Sequence, residues 1–137
     1  MHRRTFLTAL PAAMLLARPG SAAPLDYEFG LINERLDAGD TVFLDYKASW
    51  CGTCKAQGRV LDALKSENPA YEQHITFINI DWDTWAGTEV VTSLNVPRRS
   101  TLIALSPDRA EIGRIVAGTS RDEIKGLMDA ALKVAMG

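Results

Sequence analysis

Cys51 and Cys54 are the only cysteines in the chain and stand two residues apart in Trp50-Cys51-Gly52-Thr53-Cys54-Lys55. Such a pair supports reversible disulfide exchange or soft-metal binding. Thr41-Val42-Phe43-Leu44-Asp45-Tyr46 just before it is apolar and β-rich, which predicts a buried strand. After it, Val60, Leu61 and Leu64 fall at helical spacing between Lys55 and Ser66. The pair therefore belongs at a strand-to-helix junction, with Cys51 at the mouth of the helix. Free N–H groups and the helix dipole there favour a thiolate over a thiol. Lowering a thiol pKa from ~8.5 to ~7 corresponds to ~2 kcal/mol of differential stabilisation. Cys54, one turn inward, reaches back to close a disulfide with Cys51. The expected division of labour is an exposed attacking sulfur at Cys51 and a shielded resolving sulfur at Cys54. A structural disulfide closing so short a loop would stabilise the fold little. Zinc takes four ligands, or three plus water, and His74 is the only histidine beyond the first 23 residues. A two-cysteine copper(I) site is the metal alternative.

The stretch Phe43-Leu44-Asp45-Tyr46-Lys47-Ala48-Ser49-Trp50-Cys51-Gly52-Thr53-Cys54-Lys55 resembles the active-site strand and loop of the thioredoxin family. The resemblance covers nearly all of the chain after residue 25. Phe77-Ile78-Asn79-Ile80-Asp81 is similar to that family's next core strand, Val96-Pro97 to its cis-proline loop, and Gly118 to the glycine before its last helix. The resemblance implies that Asp45 lies beneath the cysteines and helps take a proton from Cys54. A carboxylate in an apolar strand is costly and its pKa rises. The resemblance also implies a cis Pro97 facing the disulfide, with the backbone of Val96 pairing with an extended substrate segment. Trp50 would cover the rim, and Gly52 would let partner backbones approach, with Thr53 beside it.

Four features depart from the family's common pattern. Thr53 stands where proline is usual between the cysteines. Lys47 replaces an aromatic residue, and a cation near the pair favours the thiolate and raises the potential. Phe77 replaces a lysine that pairs with the buried acid, leaving Asp45 less compensated. Arg98-Arg99-Ser100 separates Pro97 from Thr101, and its two arginines suggest an acidic partner surface or a solvated loop.

The elements that must position these residues follow from periodicity. With 137 residues, 47% of them apolar, the chain is one domain with a real core. A net charge of −2 gives no reason to expect nucleic acid. Residues 1–23 read as a signal peptide: Arg3-Arg4-Thr5-Phe6-Leu7 opens an apolar run to Ala17, and Ser21-Ala22-Ala23 supplies small residues for cleavage near Ala23. The adjacent arginines resemble a twin-arginine signal. The run of about 13 residues contains Pro11 and is too short to span a membrane. Its removal takes three arginines and no acid, moving the net charge from −2 to −5. Residues 24–137 form the folded domain. A helix is expected over Leu25–Ala38, with Phe29, Ile32 and Leu36 inward and Gly39 as its stop. The strand 41–46 and the active-site helix follow, and Asn68-Pro69 ends that region. Strand 75–80, loop 81–84 with Thr84 as N-cap, helix Trp85–Leu94, strand 100–105, turn 106–109 and strand 110–116 come next. A capping box at Ser120-Arg121-Asp122-Glu123 opens the last helix. Ile124, Leu127, Met128, Ala131, Leu132 and Ala135 share one face of it. The order α-β-α-β-α-β-β-α gives an α/β fold, a thioredoxin-like three-layer α/β/α sandwich with a mixed four-stranded sheet.

The expected function is an exported, periplasmic thiol–disulfide oxidoreductase. Cys51 attacks a substrate disulfide and Cys54 resolves the mixed disulfide, in the reducing direction. Protein thiols and disulfides are its substrates, a membrane-bound protein its electron donor, and no metal or organic cofactor is expected. Stable membrane insertion is not expected, and a monomer is. The alternatives are a copper(I) chaperone using the same two sulfurs, and a disulfide oxidase or isomerase on the same scaffold.

Overall fold

A computed structural model describes residues 23–137. The signal-peptide reading falls on residues that lie, but for Ala23, outside the described ones. The elements are β1 (Leu25–Asp26), α1 (Leu31–Asp37), β2 (Thr41–Lys47), α2 (Gly52–Glu67), α3 (Ala70–His74), β3 (Ile75–Asp81), α4 (Trp82–Trp85), α5 (Glu89–Thr92), β4 (Thr101–Leu105), β5 (Glu111–Val116) and α6 (Arg121–Met136).

The sheet runs β1-β3-β2-β4-β5. Its centre, β2, is parallel to β3, with Asp45 opposite Asn79, and antiparallel to β4, with Asp45 opposite Leu102. Residues Thr41 to Tyr46 are all buried, as a strand covered on both faces requires. Side chains alternate across it. Val42, Leu44 and Tyr46 join Leu36, Val90, Val91 and Ile103 in one core, while Phe43 joins Leu61, Leu64, Tyr71, Leu102, Ile124 and Met128 in the other. Helices α2, α3 and α6 thus cover one face, and α1, α4 and α5 the other. Asp45, in step with Phe43, points into the α2/α6 side. Ser120 caps α6 by accepting the Glu123 N–H, as its sequence predicts.

The sheet has five strands rather than four. Leu25 and Asp26 pair in parallel with Ile78 and Asn79 at the edge of β3. The helix expected from Leu25 begins only at Leu31, because Gly30 takes the left-handed conformation at φ 87° and ends any earlier helical path. Phe29, expected in the core, is consequently 83% exposed. Gly39, at φ 95°, stops α1 where expected. The loop expected over 81–84 is instead the helical turn α4. Thr84 lies inside it and donates to Asp81 Oδ2 at 2.6 Å, so it caps nothing. The helix expected over Trp85–Leu94 is reduced to α5, because the chain turns at Gly87 with φ 84°.

Candidate active site

Cys51 and Cys54 are joined in a disulfide with a Cα–Cα distance of 5.3 Å. Cys51 is the N-cap of α2, and its Sγ accepts the Cys54 amide at 3.1 Å. A first-turn N–H thus already points at the sulfur on which negative charge will develop. The expectation of an exposed Cys51 is corrected: it is 3% exposed and Cys54 is 2% exposed. Ala48 and Trp82 pack against the pair, and Ser100 closes over it.

Ser100 is the residue that sequence reasoning missed. It is fully buried, and its Oγ stands 4.0 Å from Cys51 Sγ. The family resemblance implies that place for a cis Pro97. No cis peptide occurs among the described residues, and Pro97 is exposed. The reason is the spacer Arg98-Arg99-Ser100: the residue immediately before β4 meets the cysteines, and here that residue is Ser100. Val96 is buried in the α1/α5 core and its N–H donates to Val91 O at 3.0 Å, so that N–H is not free to pair with a substrate segment. Ser100 is fixed on three sides. Its N–H donates to Tyr46 O at 2.6 Å, and its carbonyl accepts Ala117 N–H at 2.8 Å and Gln57 Nε2 at 3.0 Å. Gln57 is itself fully buried and also donates to Gly118 O at 2.9 Å. The signal for Gln57 was in the sequence: it is the one polar residue in the buried stripe Cys54, Gln57, Leu61, Leu64. Gly118 has to be small, since a Cβ there would meet Glu123 Oε1 at 2.8 Å and Ile115 Cγ2 at 2.9 Å.

Trp50 is 56% exposed beside the disulfide. Its Nε1 donates to both carboxylate oxygens of Asp83, at 3.0 and 2.9 Å. The Arg99 guanidinium lies 4.4 Å from its ring centroid, a cation–π contact. Arg99 is therefore engaged with the rim tryptophan rather than free in a loop. Gly52 is exposed, and a Cβ added there meets nothing within 4 Å, so the space beside it is open to a partner. Thr53 is half-buried in the first turn of α2.

Asp45 is 7% exposed, and its Oδ1 has no hydrogen-bond partner. Burial raises its pKa to about 6, against the pull of Lys47 and Lys65. The cation missing at position 77 is thus partly replaced from helix α2. Lys65 Nζ lies 4.0 Å from the Phe77 ring centroid and 3.7 Å from Glu72 Oε2. Its own burial pushes Lys65 below the ordinary lysine value, while Glu72, Asp62 and Asp45 pull it back up. Among the described residues no group of three or more His, Cys, Asp or Glu side chains is placed to hold a metal ion. No helix there is long and apolar enough to cross a membrane.

The sequence profile of the thioredoxin family matches residues 31–130. Thioredoxin from Chlamydia trachomatis is 33% identical over 87 residues, covering 64% of this chain and 78% of that one. Thioredoxin from Echinococcus granulosus is 32% identical over 93 residues, covering 67% and 79%. Two solved structures share the fold at a TM-score of 0.67: Trxlp from Edwardsiella tarda, 23% identical, covering 77% of this chain and 98% of that one, and thioredoxin from Trypanosoma brucei brucei, 19% identical, covering 85% and 99%. A buried cysteine pair at a helix N-terminus is machinery for thiol–disulfide exchange with protein substrates, and the chain belongs to the thioredoxin family.

Proposed function

We propose that this chain is an exported thiol–disulfide oxidoreductase that reduces protein disulfides in a bacterial periplasm, as a monomer supplied by a membrane-bound electron donor. The observation that carries the chemistry is Cys51 at the N-cap of α2, its sulfur already held by the Cys54 amide. The Cys51 thiolate attacks one sulfur of the substrate disulfide, and the other sulfur leaves as a thiolate and takes up a proton. Cys54, losing its proton towards Asp45, then attacks Cys51 and releases the second substrate thiol. Two electrons pass to the substrate, and the pair ends oxidised, to be reduced by the donor. The export reading rests on the arginine-led apolar segment ending in Ser21-Ala22-Ala23. The direction rests on the Trp50-Cys51-Gly52 surroundings.

One observation favours the opposite direction, that of a disulfide donor or isomerase. Arg98 is hydrogen-bonded to Ser100 beside Cys51, and a cation near that sulfur stabilises the reduced, thiolate form. The deciding measurement is the reduction potential of the Cys51–Cys54 couple equilibrated against glutathione. A value near ~−270 mV supports the reductase, and one near ~−120 mV overturns it in favour of the donor. Fusing residues 1–23 to a reporter that is active only after export tests the compartment. A reporter retained in the cytoplasm refutes it.

A further inference from the structure

Ser100 holds an unfavourable backbone conformation, φ 61°, where it meets the disulfide. Glycine would take that conformation without strain, so what the serine adds there is its hydroxyl. That hydroxyl has one hydrogen and donates it to Arg99 O at 2.5 Å, while its oxygen accepts from Arg98 Nη2 at 3.0 Å. Arg98 Nε donates to the same Arg99 carbonyl at 3.0 Å. The carbonyl therefore keeps a donor if the hydroxyl turns away. The nearby group it would turn towards is Cys51 Sγ, 4.0 Å from Oγ.

In the disulfide that sulfur is a weak acceptor. Once reduced it is an anion, and hydrogen bonds to charged acceptors are the stronger ones. We propose that Ser100 and Arg98 form a hydrogen-bond relay that holds the attacking thiolate: Arg98 Nη2 donates to Ser100 Oγ, which on reduction rotates its O–H from Arg99 O to Cys51 Sγ. No proton is transferred; the serine keeps its hydrogen and the arginine its charge. The guanidinium polarises the hydroxyl it binds and makes it a better donor. Arg98 is thus a positioning residue acting through Ser100. The other charged groups on the elements around Cys51 are Asp45 and Lys47 on β2, Lys55, Arg59, Asp62, Lys65 and Glu67 on α2, Asp81 on β3, Asp83 on α4, and Arg99. The Cys54 amide donates to the Cys51 sulfur at 3.1 Å, and Ser100 Oγ, 4.0 Å away, stands within reach of it.

The test is the pH dependence of Cys51 alkylation by iodoacetamide in the reduced protein, with the labelled cysteine identified by mass. Ser100→Ala keeps the backbone and removes only the hydroxyl. It is expected to move the midpoint up by about one pH unit, a tenfold loss of thiolate at a fixed pH below it. Arg98→Met, on the half-buried rim, is expected to move it the same way by less. In the double variant the shift is expected to fall short of the sum, because the arginine acts through the serine. An unchanged midpoint in Ser100→Ala overturns the proposal, and so do two single shifts that add in full. The inference rests on Cys51 being the attacking sulfur. The assay uses no substrate, donor or compartment, so its failure and a failure of the reductase reading are separate results.

Discussion

The Lys65 ammonium stands 4.0 Å from the centroid of the Phe77 ring, on the strand that pairs with Asp45's own. An aromatic face on β3 and a cation from α2 together occupy the place where the resembled family has a lysine on the strand. The stem of Lys65 is buried, and its charge still reaches the Asp45 carboxyl. Lys65→Met should therefore raise the pKa of Asp45 further, by up to about one unit. A pH titration of the Asp45 carboxyl by NMR reads this directly, and the pH–rate profile of disulfide reduction should move to higher pH with it.

Asp45 ties stability to pH. Its carboxyl titrates near 6 in the fold, against 3.8 ordinarily, because burial disfavours the anion. The folded state binds that proton more tightly than the unfolded chain, so stability is greatest below the ordinary value and is lost as pH rises through about 6. A shift of about two units corresponds to about 3 kcal/mol. Asp45→Asn removes the dependence: relative to the parent it should gain about 3 kcal/mol in urea unfolding between pH 3 and pH 8. The same variant should exchange disulfides more slowly near neutral pH, and an unchanged rate refutes the proton-accepting role.

Gln57 clamps the loop over the cysteines through the carbonyls of Ser100 and Gly118. Gln57→Leu keeps much of the volume and loses both bonds. Denaturant titration should show a loss of about 2–3 kcal/mol. Amide hydrogen exchange at Ser100 and Ala117 should accelerate beyond what the global loss explains.

Trp50 is oriented by Asp83 below its indole N–H and Arg99 against its ring. An exposed aromatic held rigid in this way is suited to anchoring a partner chain. Trp50→Ala should raise KM for a protein disulfide substrate by about tenfold, the scale of a moderate interface anchor. It should leave the rate with a small aromatic disulfide nearly unchanged. Equal effects on both substrates would place Trp50 in the chemistry rather than in recognition.

Much of this architecture was legible because burial leaves a period in the sequence. The alternation Val42, Leu44, Tyr46 against Phe43 and Asp45 fixes β2 and the face on which the acid lies. The stripe Ile124, Leu127, Met128, Ala131 fixes α6, and the junction between strand and helix fixes Cys51 at an N-cap. What failed was local backbone chemistry. Gly30 looks like one residue inside a helical pattern, yet its left-handed conformation separates a short edge strand from α1. The Trp85–Leu94 pattern has the right apolar spacing, and Gly87 cuts it. The residue that meets the disulfide was misplaced for a related reason. Val96-Pro97 is similar to the family's cis-proline loop, whereas the position that meets the disulfide is set by distance from the start of β4. Counting back from Thr101 leads to Ser100, not Pro97. Cys51 was expected to be exposed because a nucleophile needs access, and no sequence pattern reports that a loop from elsewhere folds over it.

A single carbonyl, that of Ser100, receives hydrogen bonds from helix α2 through Gln57 and from the segment after β5 through Ala117. Gln57 reaches on to Gly118, whose Cα has no room for a side chain. Three stretches far apart along the chain are therefore knotted at one atom, and none can change its local geometry alone. Across diverging relatives this predicts inheritance as a block: a substitution at position 57, 100 or 118 should be accompanied by compensating changes at the other two, while the exposed Pro97 drifts freely.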